Sequence, residues 1–369
     1  MIVGVPRETY PGERRVALVP KAFEPLAKAG LELWIEPGAG EAAGVPDTEF
    51  TSRGAKVAAS RDELFAKADI IAQVRMLGAN PEAGREDLPR LRRGQIVLGF
   101  GEPLTAMREA ADLADRGVTS FALELIPRIT RAQSMDVLSS MATIAGYKAV
   151  LLAADSLPRL FPMMTTAAGT ISPARVFILG AGVAGLQAIA TARRLGAVVS
   201  AYDVRSAVKE QIESLGAKFI VIDVDAGGAE DKGGYAKELS EEFYRKQRER
   251  LTDVIRESDV VITTAAIPGK KAPILVTAEM VKAMAPGSVI VDIAAERGGN
   301  VEGTKPGETV AINGVSLMGP LNLPAAIPYH ASQMYAKNVA TFLKNLLDKE
   351  NQLQINEEDE IIRETLVTH

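Results

Sequence analysis

The chain has 369 residues, enough for two domains of ordinary size, and 47% of them are apolar, enough to give each domain a core. Its 42 Lys and Arg against 47 Asp and Glu leave a net charge of −5 with no basic block, which argues against a nucleic-acid partner. Cysteine is absent and histidine occurs only at His330 and His369, so disulfides and thiolate metal sites are excluded and no metal site is expected.

Short apolar runs alternate with helical patterns, the signature of βαβ units and parallel sheets. Strands are predicted at Ile2–Pro6, Glu32–Glu36, Ile70–Gln73, Ile96–Gly99 and Thr119–Ala122. Helices are predicted at Lys21–Ala29, Thr48–Ser52, Arg61–Ala68, Glu86–Arg92 and Leu104–Arg116, with Pro89 an obstacle inside the fourth. Gly38-Ala-Gly40 follows a strand but has no acid placed after it, and reads as a turn. A helix from Ser139 to about Ala154 links the halves. Further strands follow at Val176–Leu179, Val198–Tyr202, Phe219–Ile222, Val260–Thr263, Val289–Asp292 and Thr309–Ile312. Pro328 to Lys349 has the period of an amphipathic helix that returns to the first domain. The expectation is an α/β protein of two doubly wound Rossmann-like domains, residues 1–138 with 325–369 and residues 139–324, whose parallel sheets flank a cleft. The opening MIVGVPRET shows no basic-then-apolar leader, and no run reaches ~18 consecutive apolar residues, so no membrane span is expected.

The most specific segment is Ala174-Arg-Val-Phe-Ile-Leu-Gly180-Ala-Gly182-Val183-Ala-Gly185, with Asp203 at the end of the next strand. Gly180 permits a tight turn out of the strand, Gly182 removes a side chain where backbone must approach a pyrophosphate, and Gly185 lets the helix pack on the sheet. The helix Leu186–Leu195 then offers N–H groups and a positive dipole end to phosphates. Asp203 is placed to accept both hydroxyls of an adenosine ribose, which favours NAD over NADP, although Arg205 leaves an escape for a 2′-phosphate.

Two segments exceed a plain dehydrogenase layout. Arg128-Ile-Thr-Arg131-Ala-Gln133-Ser134-Met135-Asp136-Val-Leu-Ser139 is dense in polar groups before the linking helix. As an N-cap region, with Asp136 capping, it accounts for one or two of those residues. Ala226 to Lys237, with four glycines and Tyr235, reads as a flap with an aromatic tip or as a disordered insertion.

Gly4-Val-Pro-Arg7-Glu8-Thr, Glu13-Arg14-Arg15-Val-Ala-Leu-Val-Pro20, the Arg-Ala-Gln-Ser-Met-Asp loop, the glycine fingerprint and Gly233-Gly234-Tyr235-Ala together resemble the NAD(H)-binding component of proton-translocating nicotinamide nucleotide transhydrogenases, over residues 1 to about 349. Alanine dehydrogenases share the N-terminal pattern and the fingerprint. The resemblance implies direct hydride transfer between NADH and NADP+ held by a partner subunit, further membrane-spanning partners that carry protons, a homodimer, and a cytoplasmic place on the inner membrane. It implies that Gly180, Gly182, Val183 and Gly185 surround the pyrophosphate, while Asp203, Val204 and Arg205 hold the ribose. Arg128, Asp136 and Ser139 would orient the nicotinamide, Gln133 would reach the second nucleotide, and Gly234 and Tyr235 would close over the first. Thr264, Ala265 and Ala266 would line the nucleotide, or form an ordinary strand-to-helix turn.

An alanine dehydrogenase must move a proton as well as a hydride, and its relatives use a lysine and a histidine in the first domain. Here Ile71-Ala-Gln73-Val-Arg75 offers an arginine, which does not give up a proton, and Val97 to Pro103 offers no histidine. Transfer between two nicotinamide rings needs positioning and no acid or base. A redox-sensing NAD(H) module is the non-enzymatic alternative, but it has no need of the Arg128–Ser139 polar groups.

Overall fold

The structure is a computed structural model of the chain that describes residues 1–221, 241–266 and 269–369. Its strands in chain order are β1 (Ile2–Val5), β2 (Glu32–Ile35), β3 (Lys56–Val57), β4 (Ile70–Arg75), β5 (Ile96–Phe100), β6 (Thr119–Ala122), β7 (Met164–Thr166), β8 (Gly169–Ile171), β9 (Arg175–Leu179), β10 (Val198–Tyr202), β11 (Lys218–Phe219), β12 (Val260–Thr263), β13 (Val289–Asp292), β14 (Thr309–Ile312), β15 (Val315–Met318) and β16 (Leu366–Thr368). The chain divides into two compact units, Met1–Met141 with Pro324–His369, and Ala142–Leu323.

The first unit is a sheet of order β3-β2-β1-β4-β5-β6-β16. Its strands are parallel except β16, which runs antiparallel to β6 and brings the C-terminal segment onto the sheet edge. Ile70, Ile71, Ala72 and Val74 of β4 are all buried, the unbroken apolar run of a strand covered on both faces. The strand order reverses between β1 and β4, so the carboxyl ends of these two strands form the switch point where such sheets take ligands. The second unit repeats the plan in the order β11-β10-β9-β12-β13-β15-β14, with its switch point between β9 and β12.

Several expected elements change in detail. Glu86–Arg92 is not an α-helix; the segment Ala83–Arg90 is 3-10, and Pro89 within it removes a donor that an α-helix needs. The helix expected from Leu104 begins at Met107. Glu102 sits at a φ of 50°, and its carbonyl takes the N–H groups of Thr105 and Ala106, a turn that delays the helix. The strand expected at Phe219–Ile222 is confined to Lys218–Phe219 among the described residues. The linking helix spans Val137–Ser156, longer than expected, and is apolar enough by length and composition to cross a membrane. Within the second unit it buries Ala145, Ala149, Val150 and Ala153 in the core beneath β9 and β12, which is sufficient reason for its apolar composition.

Candidate functional site

The glycine loop between β9 and the helix Val183–Arg194 has the three properties that its spacing suggests. Gly180 adopts a φ of +102°, open to glycine and costly for other residues. A Cβ on Gly185 would lie 1.9 Å from the Gly180 carbonyl oxygen, so helix and loop approach as closely as backbone allows. A Cβ on Gly182 would meet no atom within 4 Å; what glycine preserves there is open space above the loop. The helix starts directly after Gly182, earlier than expected at Leu186, and no side chain caps it. Its first N–H groups are therefore left for an anion, with Val183 exposed beside them.

Asp203 follows β10 and is buried under this loop. Its Oδ2 accepts the Ala181 N–H at 2.7 Å, tying the acid to the glycine loop. Its Oδ1 accepts the Arg205 N–H at 2.9 Å. The Arg205 guanidinium also donates to both oxygens, from Nε and Nη2, each at 2.9 Å. Val204 packs against the core on the other face of the sheet.

The loop after β12 is held from beneath. Thr264 Oγ1 donates to the Gly180 carbonyl at 3.1 Å, joining the two switch-point loops. The Asn300 side chain, fully buried, accepts the Ala265 N–H at 2.9 Å and donates to the carbonyls of Ala265 at 2.8 Å and Pro273 at 2.9 Å. Asn300 is in turn fixed by Asp292, whose buried carboxylate accepts from the N–H groups of Ala294, Asn300 and Val301 and from the hydroxyls of Thr263 and Thr304. Thr264, Ala265 and Ala266 are thus a supported loop, and the sequence reading misses Asp292 and Asn300 as its supports. Gly234 and Tyr235 lie outside the described residues.

Arg128, Gln133, Asp136 and Ser139 belong to the first unit, and the glycine loop with Asp203 to the second. Asp136 Oδ1 accepts the Ser139 N–H at 2.8 Å and its Oδ2 accepts the Ser139 hydroxyl at 2.6 Å, so Asp136 caps the linking helix and holds Ser139. Thr130–Met135 forms a 3-10 turn pinned at both ends. Arg131 forks onto Asp359, holding that carboxyl down at about 2, and Asn338 donates to the Ser134 carbonyl at 2.8 Å. Between these anchors Gln133 stays exposed, as does Arg128 before them.

The first unit also holds a buried ionic cluster at its own switch point. Arg15 forks onto Glu13, from Nε to Oε1 at 2.7 Å and from Nη2 to Oε2 at 2.6 Å, and Arg75 Nε reaches the same Oε2 at 3.2 Å. Glu8 accepts the N–H groups of Val74 at 2.6 Å and Arg75 at 3.1 Å. Burial, then the neighbouring Glu13, pushes the Glu8 carboxyl up to about 8. Tyr335 donates to the Gln73 carbonyl and stacks on Phe100, with Arg75 over the Tyr10 ring. Nearby in the same sheet, Glu124 Oε1 accepts from Gly101 and Glu102, Oε2 is buried without a partner, and burial raises the carboxyl to about 7. The expectation that this unit offers no group titrating near neutral pH is corrected by these two carboxyls, which no histidine or lysine signal could have revealed.

A Rossmann-like unit with an open glycine loop and a strand-end acid, preceded in the chain by a second unit of the same strand order without such a loop, defines a two-domain dinucleotide-binding protein. Comparison with known proteins names the kind. The descriptions "Alanine dehydrogenase/PNT, N-terminal domain" and "Alanine dehydrogenase/PNT, C-terminal domain" match residues 4–145 and 149–369, and the chain belongs to this family. It is 46% identical to the first of the separately encoded pieces of NAD(P) transhydrogenase subunit alpha in Rhodospirillum rubrum, over 100% of this chain and 96% of that protein. It is 31% identical to the alanine dehydrogenase of Mycobacterium tuberculosis, over 94% and 88% of the two chains. The solved structure of transhydrogenase from Sinorhizobium meliloti matches with a TM-score of 0.89 and 45% identity, covering 100% of this chain and 99% of that one. The domains of this family bind NAD(H), and NAD(H) is the cofactor of this chain.

Proposed function

We propose that the chain is the NAD(H)-binding subunit of a proton-translocating transhydrogenase, exchanging hydride directly between NADH and NADP+ bound on a partner subunit, with membrane-spanning partners carrying the protons. The observation that carries this reading is the contrast between the two switch points. In the second unit the loop is open above Gly182 and lined by uncapped N–H groups, while in the first Arg15 and Arg75 both engage Glu13, so neither guanidinium is left over for a substrate carboxylate. Bound NADH supplies the hydride. Gly180, Gly182, Val183 and Gly185 seat its pyrophosphate, Asp203 with Val204 and Arg205 holds the adenosine ribose, and Thr264 to Ala266 line the nucleotide. Arg128, Asp136 and Ser139 orient the nicotinamide, Gln133 serves the partner's nucleotide, and Gly234 and Tyr235 cover the site. Catalysis here is positioning with water excluded.

The subunit works as a homodimer and sits peripherally on the cytoplasmic face of the membrane through its partners. A homodimer is supported by the hairpin β7–β8, a two-stranded ribbon too small to be stable by itself, which exposes Met163, Met164 and Ile171 by 64%, 42% and 47%.

An alanine dehydrogenase-like reading draws on one observation, the near-neutral carboxyls Glu8 and Glu124, either of which could accept a proton. One experiment separates the two. The purified chain is assayed for NAD+ reduction by alanine, and for hydride exchange between NADH and an NADP+ analogue with and without a purified NADP(H)-binding partner. Exchange that requires the partner, with no alanine turnover, is expected. Alanine turnover by the chain alone would overturn the proposal.

A further inference from the structure

The ribose role of Asp203 rests on the nucleotide reading above, and the structure adds a competitor for it. A carboxylate offers about four acceptor positions. In Asp203 all four are taken: two by the backbone N–H groups of Ala181 and Arg205, and two by the fork of the Arg205 side chain. The backbone donors are part of the fold and remain when a nucleotide arrives. The fork spans both oxygens with parallel N–H donors, and these are the positions that the 2′- and 3′-hydroxyls of an adenosine ribose need. The pair is sheltered, with side-chain exposures of 16% for Arg205 and 7% for Asp203, so water does little to weaken it.

We propose that the Arg205 guanidinium is the resident occupant of the ribose-diol positions on Asp203, and that NADH binds by displacing it. The arginine keeps a buried carboxylate paired while the site is empty, which a bare acid under the glycine loop could not do without cost. Displacement requires only side-chain rotation, because the Arg205 N–H keeps its own bond to Oδ1 and fixes the backbone. A ligand must therefore bring two hydroxyls to evict the fork. Arg205, which from sequence reads as a receptor for a 2′-phosphate, here sets a threshold for diol recognition.

The experiment titrates the purified chain with NADH by cofactor fluorescence. Arg205→Ala removes the occupant, and Arg205→Lys keeps the charge without the fork. Both are expected to bind NADH about five-fold more tightly than the unaltered chain, the scale of one partly buried ion pair that no longer has to be broken. In the unaltered protein, the Arg205 Nε–H resonance should shift on adding adenosine monophosphate and stay put with reduced nicotinamide mononucleotide, which lacks the adenosine ribose. Weaker or unchanged NADH binding in both variants, or a resonance indifferent to saturating NADH, would overturn the displacement. Asp203→Ala distinguishes this from failure of the underlying assignment: if that variant binds NADH as well as the unaltered chain, Asp203 does not read the ribose at all.

Discussion

Replacing Glu8 by glutamine tests whether the first unit carries a carboxyl that the fold keeps protonated. In the folded chain the group is pushed from its ordinary 4.5 up to about 8 by burial and by Glu13, against the opposing pull of Arg15 and of the Val74 and Arg75 N–H groups. Tyr335, itself held in its neutral form by burial, also packs against the cluster. A pKa raised on folding means that the folded state holds its proton more tightly than the unfolded chain. The stability tied to that proton is complete below about pH 4.5, falls as the pH rises, and is fully lost above about 8. A single isolated group would cost ~1.4 kcal/mol per pH unit across that window, a ceiling of ~5 kcal/mol. Coupling to Glu13 and Arg15 and the partial exposure of Glu8 reduce this, and about 2–3 kcal/mol is expected. Glutamine cannot accept with both ends, so Glu8→Gln also loses one of the two backbone contacts, a constant offset of about 1–2 kcal/mol. The slope therefore carries the test. Urea unfolding from pH 5 to 9 can be followed through Trp34, the one tryptophan, which lies on β2 of this unit. Relative to the variant, the unaltered chain should lose stability steadily between pH 5 and 8. A difference that stays flat with pH, or grows in favour of the unaltered chain, would refute the protonated Glu8.

The two inner glycines should separate fold from ligand: Gly185→Ala drives a Cβ to 1.9 Å from a carbonyl and should lower the melting temperature along with NADH affinity. Gly182→Ala meets nothing and should keep the melting temperature while NADH binding falls at least ten-fold, and a variant that binds NADH normally would remove the pyrophosphate from that position. Asn300→Ala leaves the Ala265 and Pro273 carbonyls and the Ala265 N–H unpaired, so differential scanning calorimetry should show a loss of about 2–3 kcal/mol, with weaker NADH binding. Gln133→Asn should leave NADH affinity nearly unchanged while slowing stopped-flow hydride transfer to partner-bound NADP+ by about ten-fold; equal losses in both would assign the glutamine to the NADH site.

The two sheets are legible because buried parallel strands are short β-branched runs, and β10, β12, β13 and β14 fall where the sequence predicts them, at Val198–Tyr202, Val260–Thr263, Val289–Asp292 and Thr309–Ile312. β15 escapes the sequence reading although its signal is present. Asn313-Gly314 stands between β14 and β15, both residues adopt positive φ of 50° and 78°, and this is the turn that closes a two-residue hairpin. β16 is illegible for a different reason: Leu366-Val-Thr is too short to show a period, and only pairing with β6 makes it a strand. The glycine loop can be read because each glycine answers a backbone constraint. The buried charges cannot, because nothing in the pattern of Glu8, Glu13 and Arg15 says that they fold inward; a charge near the N-terminus reads as surface until a sheet edge encloses it.

The two switch points show what the shared fold leaves undecided. Both units place the carboxyl ends of two diverging parallel strands side by side, and both must satisfy the backbone groups exposed there. The second unit does so sparingly: glycines at the turn, no cap on the following helix, and one acid tied to the loop by Ala181. Its residual donors are what an anionic ligand can complete. The first unit satisfies the same geometry from within, Glu8 closing the N–H groups at the end of β4 and Glu13 holding both arginines. Breaking such a buried pair leaves a charge unpaired and costs about 3–5 kcal/mol, so this plug is not displaced by a weakly bound anion. The asymmetry lies in side chains at one edge of two equivalent sheets, and a single fold therefore supplies one unit that receives a nucleotide and one that is closed to ligands at the corresponding place.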